Sequence, residues 1–185
     1  MAKQIVAHIA VLLAIVVSAS AGSFQLASQN AVFGGELAPS VSGYFSKGKG
    51  VSTFFLVGEK YAEGYLSFGR SMTIAGTFVA ADAGLGVEQT QDGFGRMIAA
   101  SAFAKKGSVS LLGIVENGTG LWYKSYLKWQ VVPQISLGLL AQRYAGVGPR
   151  IDFRIPRTPV TLWGAVLRDQ ELGRSGGIVA VTSSF

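Results

Sequence analysis

Few residues of this chain could do covalent chemistry. It has no cysteine and one histidine, His8. Without cysteine there are no thiolate nucleophiles, disulfides or zinc–thiolate sites. His8 falls in an N-terminal apolar segment that reads as removable (below), which leaves serine–histidine–aspartate and histidine-ligated metal mechanisms without an imidazole. Glu59 and Glu63 stand four apart in "GEKYAEG". They read as part of a solvated turn, with nothing apolar nearby to perturb a carboxyl. "NGT" at 117–119 matches a glycosylation triplet but fits a tight turn better, and "KGKGVS" lacks the spacing of a phosphate-binding loop. No nucleophile–base pair can be named, so no enzymatic activity, cofactor or metal is expected.

The charges are the remaining constellation. "LWYKSYLKW" (121–129) puts Lys124 and Lys128 on one face of an extended strand with Trp122 and Tyr126; "PRIDFRIP" (149–156) does the same with Arg150, Asp152 and Arg154. Their opposite faces carry Leu121, Tyr123, Leu127 and Trp129, and Ile151, Phe153 and Ile155. If the charged faces line a bore, they select anions, as rings of Lys or Arg do. The alternative is that these charges pair and fill the bore, as side chains do in small barrels. Other basic residues are dispersed through a chain of net charge +6, with no clustered stripe, so a nucleic-acid partner is not expected.

The elements that must position these residues read as strands throughout. "ISLGLLAQ" and "MTIAGTFV" also alternate, and nothing in the sequence after the first apolar run has a helical stripe. Eleven turn-type clusters separate the strands, from "SKGKG" (46–50) through "FGRS" (68–71), "AADAG" (80–84) and others to "DQELGRSG" (169–176). They predict about twelve strands, with ten or eight as alternatives. Residues 1–21 have the three-part pattern of a secretory signal peptide: Lys3, an apolar run from Ile9 to Val17, and "ASA" before a cleavage point after Ala21. Residues 22–38 read as an N-terminal extension or partial first strand, and 39–185 as the β-domain. Charged residues make up only 14%, and mean hydropathy is +0.40. Strands such as "VTLWGAVL" are nearly apolar on both faces. Together these point to strands facing lipid rather than water.

An export signal, a cysteine-free β-chain with tight turns, and a final strand "GGIVAVTSSF" closing on Phe185 resemble a bacterial outer-membrane β-barrel. The resemblance implies an antiparallel up-and-down transmembrane barrel in the cell outer membrane, in contact with outer-membrane lipid. It also implies that Phe185 is the signal read by the barrel-assembly machinery. Ser183 departs from that pattern, because an aromatic residue usually stands two positions before the end. The last strand is expected to pair with a first strand near Val41 to Phe45. The function expected is a narrow pore with weak preference for small anionic solutes. Its alternatives are a closed-bore structural or interaction component of the envelope, and a soluble exported β-barrel or sandwich. Lys124, Lys128, Arg150, Asp152 and Arg154 are the expected lumen residues.

Overall fold

The computed structural model describes residues 23–33, 36–47, 50–169 and 173–185; the signal peptide predicted for residues 1–21 lies outside them. Twelve strands follow one another: β1 (Ser23–Phe33), β2 (Glu36–Lys47), β3 (Val51–Gly58), β4 (Ala62–Ile74), β5 (Thr77–Thr90), β6 (Gly93–Lys106), β7 (Val109–Asn117), β8 (Leu121–Val132), β9 (Ile135–Gln142), β10 (Gly146–Arg154), β11 (Val160–Asp169) and β12 (Arg174–Ser184). Each pairs antiparallel with its neighbours in sequence, and β1 closes on β12 into a barrel. Closure leaves no strand edge unpaired, as hydrocarbon requires.

The alternation along each strand sets what faces where. Leu85, Phe94, Val166 and Val179 are outward and about 70% exposed. Leu140 (0%), Leu167 (1%) and Ile178 (1%) point inward, as do the charged residues Glu63, Glu88, Glu116 and Asp152. A water-soluble barrel has the reverse arrangement: charge outside and a dry interior. The exposed apolar band therefore excludes the soluble alternative and identifies a lipid-facing surface.

The strand count agrees with the sequence reading although two of the expected turns do not exist. "FGRS" runs through β4 and "AADAG" through β5. Their glycines serve packing within the sheet: a Cβ on Gly69 would strike the Ala81 carbonyl, and one on Gly84 would strike the Ser67 side chain. Two real breaks were not foreseen. One separates β1 from β2. The other lies inside "MTIAGTFV", where Ala75 and Gly76 both adopt positive φ (47° and 73°) and reverse the chain in two residues. An alanine in the left-handed region gives no turn signal in the sequence. Phe78 consequently faces inward opposite Thr73, whereas Met72 and Ile74 face lipid.

The first strand also differs from expectation. Segment 22–38 contains β1 and the start of β2, and β12 pairs with β1 (Gln25↔Ser184 to Phe33↔Gly176) rather than with 41–45. With β1 as the first strand, the β2–β3 turn lies at the end of the barrel where β1 starts and β12 finishes, and the β3–β4 turn at the opposite end.

Candidate pore-lining site

The inner face divides into two walls of opposite charge. The basic wall is built on β8 and β10. Lys124, Tyr126 and Lys128 project inward from β8, and Arg150 and Asp152 from β10, with β9 between them. Gly138 of β9 lies in register between Lys128 and Arg150, so no side chain separates the two cations there. Arg150 grips Asp152, two residues on, through Nε (2.9 Å) and Nη2 (2.7 Å). Its guanidinium also sits 3.9 Å from the centroid of Trp163 on β11 and 5.1 Å from that of Tyr126. The Trp163 indole donates to the Thr182 hydroxyl (3.2 Å), which fixes the ring plane on which the guanidinium rests. Lys124 lies 5.7 Å from the same ring. Arg154, in contrast, is exposed at the last position of β10, where its backbone N–H bonds the Gln134 carbonyl (2.7 Å). The structure thus brings Lys124, Lys128, Arg150 and Asp152 together and leaves Arg154 near the end of the barrel that carries the termini.

The acidic wall was not foreseen. It draws on β4, β5 and β7: Glu63, Asp82, Glu88 and Glu116 all project inward. The Tyr61 hydroxyl, in the turn before β4, lies 2.5 Å from Glu63 Oε2 and 3.1 Å from Glu88 Oε2. Burial, and next the hydrogen bond with Glu63, push the Tyr61 phenol far above its usual range, so it remains a donor. Glu88 also accepts from the backbone N–H of Thr119 in the β7–β8 turn. Glu116 interacts electrostatically with Tyr65 and Glu63, and Asp82 accepts from the Ser101 hydroxyl (2.9 Å). Glu116 and Lys124 interact electrostatically where the walls meet.

Glu59 is exposed in its turn as expected, but Glu63 is 8% exposed inside the barrel. A signal for this wall does exist in the sequence. In "LGVEQT" Leu85 and Val87 alternate with Gly86 and Glu88, and in "LLGIVEN" Leu111 and Val115 alternate with Leu112 and Glu116. β4 and β7 each contribute one of these carboxylates and β5 two, and only the closed register places them side by side.

Apolar packing continues behind both walls. Leu140, Trp163, Ala165, Leu167, Ile178 and Ala180 form one inward cluster with Tyr126 against it, and Tyr65, Met97 and Ala99 form another, backed by Phe54. Side chains therefore narrow the bore over the levels they occupy. Phe185 follows the last residue of β12. Ser184 is tied on both sides, by its N–H to the Pro159 carbonyl (3.0 Å) and by its hydroxyl to Gln25 (3.2 Å).

No protein-family description and no curated protein matches the sequence. Solved structures do match the fold. The KdgM porin in complex with disordered oligogalacturonate superposes with a TM-score of 0.66 at 8% identity, covering 87% of this chain and 99% of that one. The KdgM porin alone gives 0.64 at 8% identity with the same coverage. Outer membrane phospholipase A from Escherichia coli gives 0.58 at 10% identity, covering 87% of this chain and 89% of that one. The last of these is an enzyme by its name, so the fold itself is compatible with catalysis as well as with passage. With its apolar band outward and its charges inward, the chain is a closed twelve-stranded β-barrel of the outer-membrane type.

Proposed function

We propose that the protein is a narrow outer-membrane pore through which small anionic solutes move along the wall built on β8 and β10. The observation that carries this reading is the inward cluster of Lys124, Lys128 and Arg150, with Arg154 at the barrel end on the same wall. Lysines and arginines facing a restricted passage favour anions. The carboxylates of Glu63, Glu88 and Glu116 oppose that preference from the other wall, so it is weak. Likeness to a porin solved with oligogalacturonate supports a passage for acidic solutes. No residue is assigned a catalytic role. Insertion itself is read to depend on the barrel-assembly machinery, with Phe185 as the residue it recognises.

A second reading has its own support. Leu140, Leu167, Ile178 and Ser67 are all less than 2% exposed although they face the bore. This degree of filling favours a closed barrel that serves as a structural or interaction component of the envelope.

Planar-bilayer recording of the purified protein separates the two. The pore reading predicts small conductance steps that fall when Lys124, Lys128, Arg150 and Arg154 are all replaced by glutamate. Insertion with no conductance at all would refute the pore and leave the closed barrel. A Phe185 deletion that inserts with unchanged yield would show that the terminal residue is not the assembly signal.

A further inference from the structure

The outward face of β4 to β8 carries one row of small side chains that begins at an arginine. Along one hydrogen-bonded row the residues after Arg70 are Ala81, Ala102, Gly113 and Ser125. Met72, Val79 and Leu111 stand beside this row, and the small residues form the floor of an open trough of about 580 Å³. Elsewhere the same surface carries large side chains, such as Leu137, Leu139, Ile151 and Val166.

Arg70 stands at one end of the trough. It is exposed, and it makes no hydrogen bond, ion pair or ring contact with any described residue. Its neighbours along the strand on the same face are Phe68 and Met72, 62% and 54% exposed. An arginine on the lipid face of a barrel costs up to about 2–4 kcal/mol at the midplane and about 0–1 near the interface. Arg70 is placed toward the interface: Gly69 N–H donates to the carbonyl of Gly50 (2.7 Å), so the β2–β3 turn abuts this position. No described residue supplies the guanidinium there with an anion, and a lipid headgroup can. The planar fork of the guanidinium matches a phosphodiester.

The trough supplies the rest of such a ligand's site. Four strand-to-strand steps of about 4.8 Å give about 19 Å from Arg70 to Ser125, the span of an extended long acyl chain. Strand tilt of about 35–45° carries this row obliquely away from the interface into the hydrocarbon. We propose that Arg70 and the trough bind a membrane phospholipid. The phosphodiester sits on the guanidinium and one acyl chain lies over Ala81, Ala102 and Gly113. The proposal does not depend on whether the bore conducts.

The test is native mass spectrometry of the detergent-solubilised barrel titrated with phosphatidylglycerol. The unaltered protein is expected to retain one lipid through detergent removal. Arg70→Gln should lower that retention several-fold, as should Ala102→Leu, which fills the floor while leaving the charge in place. Arg168→Gln, an exposed outward cation on β11, should change nothing. Heat-modifiable migration on gels checks that each variant is folded. Excess inorganic phosphate should not displace the lipid, because the acyl contacts hold it. Equal retention in Arg70→Gln and the unaltered protein overturns the site. So does displacement by phosphate, or a dimer mass without retained lipid that disappears in Ala102→Leu, which would assign the trough to a second copy of the chain.

Discussion

The basic and acidic walls of the bore solve the same physical problem in different ways. A charge inside a barrel crowded with side chains must be compensated. On β10 the compensation is local: Arg150 pairs with Asp152 of its own strand and rests on the rings of Trp163 and Tyr126. On the other wall it is distributed. Glu63, Glu88 and Glu116 come from three strands; the Tyr61 hydroxyl and the backbone N–H of Thr119 hold the first two, and Lys124 offsets the third where the walls meet. The Arg150–Asp152 pair is one strand's own chemistry, although the rings it rests on come from β8 and β11. The acidic wall exists only when β4, β5 and β7 are correctly paired. It also reaches into the β3–β4 and β7–β8 turns and fastens them to the inner face.

Substitutions can test this contrast. The largest effect is expected on the basic wall. Asp152→Ala strands the Arg150 guanidinium inside the barrel and should cost about 3–5 kcal/mol, read from urea unfolding in lipid vesicles. The double change Arg150→Met with Asp152→Leu should recover most of that loss, since no unpaired charge remains. A double change as damaging as Asp152→Ala alone would show that the pair is not self-contained.

Behind the same wall, Leu140→Ala removes a fully buried inward side chain. It should cost about 2–5 kcal/mol. If the cluster also narrows the bore, single-channel conductance rises at the same time. On the acidic wall, Glu88→Gln weakens the charged hydrogen bond to Thr119 and should cost about 1.5–3 kcal/mol. Faster proteolysis confined to the β7–β8 turn would confirm that this carboxylate holds the turn.

Tyr61→Phe is expected to have the smallest effect, about 1 kcal/mol. Because burial and the Glu63 hydrogen bond raise the phenol's pKa in the folded state, its contribution is fully present below the unfolded phenol's pKa near 10 and is lost as pH rises above that value. The difference between Tyr61→Phe and the unaltered protein should therefore shrink as pH rises past about 10. A difference that stays constant well above pH 10 would contradict this assignment.

The same contrast explains what was legible in the sequence. Period-two alternation identifies strands, and "PRIDFRIP" and "LWYKSYLKW" display their charges two or four residues apart on a single strand, so the basic wall is visible before any fold is known. Glu63, Glu88 and Glu116 are separated by 25 residues or more, and local pattern says nothing of their meeting. Glu63 in particular is disguised by the turn it follows. Turns were legible where glycine, asparagine or proline marks a real reversal. They were misread where glycine serves close packing within a strand, as at Gly69 and Gly84, and missed where Ala75 takes a positive φ without a glycine's freedom. The two errors of each kind cancel in the strand count. The first strand was lost for a related reason: "SFQLASQNAVF" mixes polar and apolar residues on both faces and shows no clean period.

In the proposed pore, the wall on β8 and β10 governs what passes. This is tested most directly by the reversal potential across a planar bilayer under a salt gradient. The unaltered barrel should show a small anion-selective potential, which changes to cation selectivity when Lys124, Lys128, Arg150 and Arg154 are replaced by glutamate. A conducting barrel whose reversal potential is the same before and after those substitutions would contradict it.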